Sequence, residues 1–248
     1  MPVSQVVNLD NGARVGRSES IVPALVGSTS VDVRTPAATL RYDPRANTWS
    51  LGAFGLRYGV RLTVTPQKPY ALHGGGTGIV GVGNIESGYY SATRTRVEGT
   101  FSSGAGSISF RGTAWFDHQW VERAAVLSLP KWDWFACQFD DGTELMAYKI
   151  LAGSSTAAEK GGTFVRRDGS TAVVADPRMV AGNRALSAAR RRWPLDWTIQ
   201  VPSQGLAVKV RAIVPDQLVQ GFLHPTFWEG VATATGTKKG VCFVEETG

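Results

Sequence analysis

Residues 106–120 read GSISFRGTAWFDHQW and alternate polar and apolar side chains over most of their length. A period of two residues is typical of a β-strand that turns one face toward a core. Similar alternation recurs from residue 48 to the end of the chain, in short segments separated by glycine-containing turns. Two of these turns, Asp141-Gly142 and Asp168-Gly169, are hairpin signals. The sequence therefore predicts an all-β fold built as an antiparallel meander.

Two segments depart from this pattern. Residues 181–192, AGNRALSAARRR, are rich in Ala and Arg and fit either a helix or an irregular strand. Residues 72–84, LHGGGTGIVGVGN, are rich in glycine and fit a linker between two β units or a long loop over a barrel mouth. A boundary at this segment predicts a partial N-terminal β domain in residues 1–84 and a C-terminal β-barrel domain in residues 85–248.

The composition excludes several classes of protein. With 43% hydrophobic residues and eight Trp among 248 residues, the chain is globular rather than disordered. Its apolar runs are too short for a transmembrane helix, and its first residues do not resemble a signal peptide, so we expect a cytoplasmic protein with no membrane span. The net charge of +6 comes without a nucleic-acid-binding motif, and we expect no nucleic-acid partner. A basic rim that attracts an anionic substrate is the alternative.

Cysteine and histidine give no sign of a metal site. Cys137 and Cys242 each lie in an apolar, strand-like run, which is typical of reduced core residues. The three histidines are far apart and show no ligand spacing, so no metal is expected. His118 is expected to pack in the core, and His73, at the glycine-rich segment, is expected to be exposed.

Asp117 is the most informative polar residue because it lies among large aromatic side chains. On a regular strand one face carries Trp115, Asp117 and Gln119, and the other carries Phe116, His118 and Trp120. In a barrel wide enough for a ligand, Trp115 and Asp117 would face a cavity with Trp132 and Trp134. Burial there would raise the pKa of Asp117 and make it a proton donor. In the alternative interpretation Asp117 only ties strands together.

Four more residues are candidates for the site. Tyr90 and Arg94 share a strand face and could bind a carbonyl or a carboxylate, although Arg94 could instead close a barrel end. Trp228 and Glu229 place a second carboxylate beside aromatic rings, where it could line the cavity or serve as a structural tie.

Four segments resemble, in order and with similar gaps, the signatures of the lipocalin-like hydroxyneurosporene synthase (carotenoid hydratase) family, which includes Diels–Alderase-type cyclases. They are YYSATRTRVEGTF (89–101), RGTAWFDHQW (111–120), WDWFACQFDDGTELMAYKI (132–150) and FWEGVATATGTKKGVCFVEETG (227–248). The resemblance implies two lipocalin-like antiparallel β-barrels in tandem, a hydrophobic cavity at or near their junction, and no cofactor.

The resemblance covers about residues 48–248, and residues 1–47 look like the later part of the family's first barrel. The first barrel is therefore expected to be incomplete, because the start is truncated, because the barrel is reduced, or because another chain completes it. Open strand edges favour pairing, so the expected partner is a second copy or a completing chain.

The resemblance also implies two chemistries. In the hydratases, the aspartate that aligns with Asp117 protonates a terminal alkene, and aromatic faces such as those of Trp115, Trp132 and Trp134 would stabilise the carbocation. The cyclases fold a linear polyene and bind its carbonyl group. The hydratase pattern has Tyr where this chain has Trp115, and an indole cannot relay a proton.

The sequence therefore favours a cofactor-independent cyclase or isomerase that acts on a hydrophobic polyene or polyketide in natural-product biosynthesis. Asp117, Trp115 and Tyr90 are the predicted catalytic residues. The predicted substrate-binding residues are Trp132, Trp134, Arg94, Gln119, Trp228 and Glu229. One alternative is an alkene hydratase with Asp117 as general acid. Another is a non-catalytic, lipocalin-like carrier of an apolar ligand.

Overall fold

The computed structural model describes residues 3–7, 9–12, 14–19, 25–26, 31–82, 85–121, 131–152, 156–189, 191–220 and 226–247. In these residues the regular structure is β, apart from one 3₁₀ turn at Pro202–Gln204. The predicted all-β fold is confirmed. No helix in this part of the chain is long and apolar enough to cross a membrane.

The chain divides into two compact units that are interleaved in sequence. The first consists of Met1–Gln67 and Arg94–Trp115, and the second of Lys68–Thr93 and Phe116–Gly248. This division differs from the predicted boundary at residue 84, because the glycine-rich segment lies inside the second unit. Strand pairing gives the reason: residues 95–103 pair with Tyr58–Pro66 of the first unit, whereas residues 85–91 pair with short strands of the second.

The first unit is an antiparallel sheet with the strand order β11-β10-β7-β6-β5-β4-β3. Its buried side chains include Trp49, Tyr58, Val64 and Val97. A separate hairpin pairs β1 with β2. The strands are β1 (Val3–Val7), β2 (Arg14–Glu19), β3 (Leu25–Val26), β4 (Asp32–Arg34), β5 (Ala38–Asp43), β6 (Thr48–Phe54), β7 (Tyr58–Pro66), β10 (Ile85–Ser103) and β11 (Gly106–Val121), of which β10 and β11 also contribute residues to the second unit.

The second unit is built on a ten-stranded antiparallel sheet with the order β15-β14-β13-β12-β23-β22-β20-β19-β16, and β21 pairs with β22. The strands β8 (Ala71–Leu72) and β9 (Ile79–Val82) pair with β10. The others are β12 (Lys131–Phe139), β13 (Glu144–Ala152), β14 (Thr156–Val165), β15 (Thr171–Val174), β16 (Arg178–Ala181), β17 (Ala185–Ala188), β18 (Arg191–Pro194), β19 (Asp196–Val201), β20 (Leu206–Ala212), β21 (Leu218–Val219), β22 (Phe227–Gly236) and β23 (Gly240–Glu246).

The described residues of the segment 181–192 are not helical. Strands β17 and β18 form a hairpin there, with Ala189 at a φ of 51° in its turn. Trp193, which follows the Arg-rich segment, is buried, and its indole nitrogen donates to the backbone oxygen of Ala188. The strand alternative is therefore confirmed, because anchoring Trp193 in the core outweighs the helix propensity of Ala and Arg.

One face of the second sheet is a tightly packed core. Its buried residues include Phe135, Trp197, Trp228 and Val244. Gaps remain among Leu195, Trp197, Trp228 and their neighbours, but they do not admit even a water molecule. Among the described residues, these gaps have no room for a ligand.

Cys137 and Cys242 form a disulfide between neighbouring strands. The prediction of two reduced cysteines is wrong, although both side chains are buried as expected. The two residues are directly paired in the register of β12 and β23, with their Cα atoms 4.0 Å apart. A separation of 105 residues hides this pairing in the sequence.

A buried ion pair joins the start of the second unit to β13. The Lys68 ammonium lies 2.7 Å from Oε2 of Glu144 and also donates to the backbone oxygens of Gly142 and Arg166. The Glu144 side chain is fully buried, and that of Lys68 is only 8% exposed. Removing one partner of such a pair leaves an uncompensated buried charge.

We expect Lys68→Met to lower the free energy of unfolding by about 3 kcal/mol or more, because Glu144 would lose its counter-ion. Chemical denaturation measures this change. The double variant Lys68→Met/Glu144→Leu should recover much of the loss, and Lys160→Met, which removes an exposed pair with Asp176, should change little. Equal effects of Lys68→Met and Lys160→Met would contradict this account.

Candidate functional site

Strands β10 and β11 bring the Asp117 carboxylate to two hydroxyl groups. Tyr89 Oη donates to Oδ1 of Asp117 over 3.2 Å, and Ser91 Oγ donates a short hydrogen bond to the same oxygen. Tyr89 and Ser91 are buried, whereas Asp117 is exposed. Asp117 is thus an accessible residue anchored to buried donors. Its exposure differs from the burial that was expected for it.

Each of these hydroxyls is bound to a second side chain. Ser91 Oγ lies 2.7 Å from Nε2 of His73, and Nδ1 of His73 lies 2.9 Å from Oγ1 of Thr163. Tyr89 Oη accepts from the indole nitrogen of Trp134 over 2.9 Å. Asp117 therefore lies where two hydrogen-bonded chains of side chains meet.

The buried groups of this network have shifted pKa values. Burial lowers the pKa of His73 to about 4, so its imidazole is neutral near pH 7. Burial, together with the charge of Asp117, raises the pKa of the Tyr89 phenol well above its usual value. Both groups thus stay uncharged, and Tyr89 keeps the proton that it donates to Asp117.

The glycine-rich segment explains the position of His73. The loop leaves the sheet after β8 and rejoins it at β9, with Gly78 N donating to His73 O and Tyr89 N donating to Gly78 O. Gly74 has a φ of +65°, and a Cβ there would collide with the backbone oxygen of Ile79. This tight turn points His73 inward, so the prediction that His73 is exposed is wrong.

Two further carboxyl groups lie on the sheet face opposite the packed core. Glu245 on β23 is paired directly with Glu229 on β22 and with Trp134 on β12. The indole of Trp132 donates a hydrogen bond to Glu245. Burial raises the pKa of Glu245 to about 7, helped by the charges of Glu229 and Asp117. Burial also raises the pKa of Glu229.

This arrangement supplies two different kinds of acid group. Glu245 holds a proton for a large fraction of the time at neutral pH, whereas Asp117 accepts hydrogen bonds from two fixed donors. Neighbouring carboxyl groups with different environments are the usual basis for separate acid and base roles. In the described part of the chain, no group of His, Cys, Asp and Glu is arranged to hold a metal ion.

The surrounding sheet face is partly open and apolar. Val241 and Phe243, which share this face with Glu245, are 52% and 36% exposed. Trp132 and Trp134 are half-buried. This face therefore offers exposed apolar side chains beside Glu245.

The structure groups some of the predicted site residues and separates others. Trp132, Trp134 and Glu229 lie on the face of Glu245, as described above. Gln119, on the same strand as Asp117, donates from Nε2 to Ser87 Oγ over 3.0 Å. Trp115 and Arg94 belong to the first unit, so their roles stay predictions.

Trp228 is a core residue and not part of this face. It is 1% exposed, it packs in the hydrophobic core, and its indole nitrogen donates to Pro215 O over 2.8 Å. Its neighbour Glu229 points the other way because successive residues of a strand face opposite sides.

The Tyr90 hydroxyl binds His118 and not Asp117. Its hydroxyl lies 3.1 Å from Nδ1 of His118, and its ring makes edge contacts with Tyr70, His118 and Trp120. His118 faces away from Asp117 as predicted, but it is exposed and does not pack in the core. The tyrosine that binds Asp117 is Tyr89, one residue earlier.

Sequence reasoning missed Tyr89, Ser91, His73 and Glu245 as site residues. Tyr89 and Ser91 were present in the first resemblance motif, but only pairing with β11 shows which of the two adjacent tyrosines faces Asp117. Glu245 and Glu246 are consecutive, and the sequence does not reveal which one turns toward the core.

Comparisons with known proteins support the fold. A family model described as AttH-like matches residues 13–248. A protein from Nitrosomonas europaea that is described as AttH is similar in structure, with a TM-score of 0.77 and 21% identity, covering 86% of this chain and 69% of that chain. Kievitone hydratase from Nectria haematococca gives a TM-score of 0.80 and 19% identity, covering 97% of this chain and 77% of that chain.

A third similar structure is that of CghA with Sch210972. It gives a TM-score of 0.55 at 10% identity and covers 91% of this chain and 74% of that chain. A comparison with curated proteins gives no match. Together with the family model, these likenesses confirm the lipocalin-like fold and the resemblance that the sequence motifs indicated.

Proposed function

Because the chain belongs to the AttH-like family, we propose that it is a cofactor-independent enzyme that protonates a carbon–carbon double bond of an apolar substrate and adds water to the resulting cation. The observation that carries this proposal is the pair of Glu245 and Glu229 on one sheet face with two indole rings, near enough to Asp117 of β11 for its charge to act on Glu245.

Glu245 is the proton donor in this proposal. The alkene π electrons take the proton from its carboxyl group, a C–H bond forms, and the adjacent carbon becomes a carbocation. A carboxylic acid with a pKa of about 7 is matched to this task near neutral pH. The indoles of Trp132 and Trp134 lie on the same face and can stabilise the cation through their π systems.

Asp117 is the proton acceptor. Water attacks the cation and forms a C–O bond, and Asp117 takes the proton that the water must lose. Protons then return from Asp117 to solvent and from solvent to Glu245, so the net change is the addition of one water molecule to the substrate. The exposed position of Asp117 gives water direct access to it.

The pair of Glu245 and Asp117 supports hydration, whereas the sequence favoured cyclisation. From the sequence, Trp115 was an argument against hydration because its indole cannot relay a proton to Asp117. With Glu245 as the acid and Asp117 as the base, that relay is not required. The name of kievitone hydratase is consistent with hydration in this fold. Cyclisation of a polyene would begin with the same protonation, continue with attack of a second double bond on the cation, and end when the new cation loses a proton to Asp117.

Isotope incorporation tests the proposal. The protein is incubated in D2O with kievitone, neurosporene and geranylgeraniol as probes, and the products are analysed by mass spectrometry. We expect at least one probe to gain one carbon-bound deuterium together with a hydroxyl group. A cyclic isomer that contains deuterium supports protonation followed by cyclisation.

Two outcomes would contradict the proposal. A product isomer without deuterium would indicate a pericyclic cyclase, and recovery of every probe unchanged after tight binding would indicate a carrier. Glu86→Gln, which alters an exposed residue of β10, is the matched control and should behave as the wild type.

A further inference from the structure

We infer that His73 is a positioning residue which, through Ser91, holds Asp117 as the hydrogen-bond acceptor of the site. This inference rests on the proposed function, because it concerns how the proposed base is kept ready. It extends the site to a buried imidazole that does not touch the substrate face.

An unbroken series of side-chain hydrogen bonds leads from Thr163 to Asp117. Thr163 on β14, His73 in the glycine-rich loop, Ser91 on β10 and Asp117 on β11 are joined by three consecutive hydrogen bonds. His73 is fully buried, and Ser91 and Thr163 are at most 4% exposed. The ring of His73 also lies against that of Tyr89, with centroids 4.2 Å apart.

The direction of these hydrogen bonds follows from counting protons. A serine hydroxyl has one hydrogen, and Ser91 gives it to the Asp117 carboxylate. Ser91 must then accept from Nε2 of His73, so His73 carries its proton on Nε2. In a neutral imidazole the other nitrogen is an acceptor, so Nδ1 accepts the hydrogen of Thr163. Every donor in the chain therefore points toward Asp117.

A second series of hydrogen bonds also has its donors directed toward Asp117. An indole nitrogen can only donate, so the bond from Trp134 makes Tyr89 an acceptor at its oxygen and leaves the phenol hydrogen for Asp117. Two chains with a common direction meet at Oδ1 of Asp117. Aligned hydrogen bonds polarise one another, which strengthens the last donor of each chain.

A protonated Asp117 would disturb this arrangement. Both donors bind Oδ1, so a proton on Oδ2 would replace their charged acceptor by a neutral and weaker one. The nearby carboxyl group is Glu245, whose pKa is raised by burial and then by the charges of Glu229 and Asp117. The chains therefore favour an ionised Asp117 beside a protonated Glu245, which is the division of roles the reaction needs.

Nuclear magnetic resonance tests this inference without a substrate. In the wild type, ¹⁵N spectra of His73 should show a neutral ring protonated at Nε2 throughout the range from pH 6 to pH 8. In Ser91→Ala, the midpoint of the Asp117 carboxyl titration should move upward, on the order of one pH unit, because the ionised form loses a donor. Thr163→Val should move it less in the same direction, since it acts through His73.

The control is Ser187→Ala, which changes an exposed serine in the β17–β18 hairpin and should leave the Asp117 titration unchanged. An Nδ1-protonated or positively charged His73, or equal Asp117 titrations in Ser91→Ala and Ser187→Ala, would overturn the inference. With an active probe, Thr163→Val should lower kcat and shift the pH profile with little change in KM. Because the spectra need no turnover, failure of this inference is distinguishable from failure of the isotope experiment.

Discussion

Replacing Glu245 by Gln is expected to lower turnover by a factor of about 10² to 10⁴, the usual contribution of a positioned general acid. Glutamine keeps the size of the side chain and can still accept the hydrogen bond from Trp132. It has no acidic proton to give to an alkene. Substrate binding should therefore change little, and the loss should appear in kcat. Steady-state kinetics on whichever probe is converted measures both quantities.

The pH dependence supplies a second readout for Glu245. The reaction needs the protonated acid, so wild-type kcat should be high below the pKa of Glu245, about 7, and should fall as the pH rises through it. This decrease should disappear in the residual activity of Glu245→Gln. A Glu245→Gln variant with nearly full activity would contradict the assignment of the acid.

Replacing Glu246 by Gln is expected to stabilise the protein at alkaline pH. Glu246 faces the packed core, where it is 1% exposed. Trp197 Nε1 donates to its Oε1, whereas Oε2 has no hydrogen-bond partner among the described residues. Burial, and next the charge of Asp133, raise the pKa of Glu246 to about 8, although Trp197 and Lys149 oppose the shift.

The sign of the effect follows from proton binding. Between about pH 4.5 and pH 8 the folded state holds a proton on Glu246 that the unfolded state has released. Stability from this group is therefore fully present below pH 4.5 and is lost as the pH rises to 8, by on the order of 1 kcal/mol per pH unit. Glutamine does not titrate, so it escapes this loss.

Urea denaturation from pH 5 to pH 8.5 measures the difference. The free energy of unfolding of Glu246→Gln minus that of the wild type should increase steadily up to about pH 8 and then level off. Glu86→Gln is the exposed control and should parallel the wild type. If the curves of Glu246→Gln and the wild type are parallel, Glu246 does not carry the buried proton.

The fold could be predicted because polar and apolar residues alternate within single strands. The period of two in residues 106–120 and 132–139 identifies strands directly, and the resemblance motifs place them in the right family. The order of strands was not visible. β12 and β23 are neighbours although they are far apart in the chain, so the Cys137–Cys242 disulfide escaped notice.

The site could be predicted only in part, because alternation does not tell which face is the core. Asp117, Trp132, Trp134 and Glu229 were expected on the wall of an enclosed cavity. They lie instead on faces turned away from the packed core, and the core contains Trp228. For the same reason Tyr90 was predicted as the site tyrosine, although the adjacent Tyr89 is the one that binds Asp117.

Buried polar groups from distant segments were the least predictable part. His73 reaches the site through a glycine turn, and its partners Ser91 and Thr163 belong to different strands. The pKa of Glu245 depends on Glu229 and Asp117, which adjoin it only after the sheet has formed. No local pattern contains this information.

The proposed reaction requires that Glu245, on the sheet face opposite the packed core, carries a proton near neutral pH. The most direct measurement is the titration of its side-chain carboxyl by ¹³C nuclear magnetic resonance, with Glu245→Gln used to assign the signal. The account predicts a midpoint near pH 7. A midpoint near the ordinary value of about 4.5 would show that Glu245 is ionised at neutral pH, and it could not then be the acid.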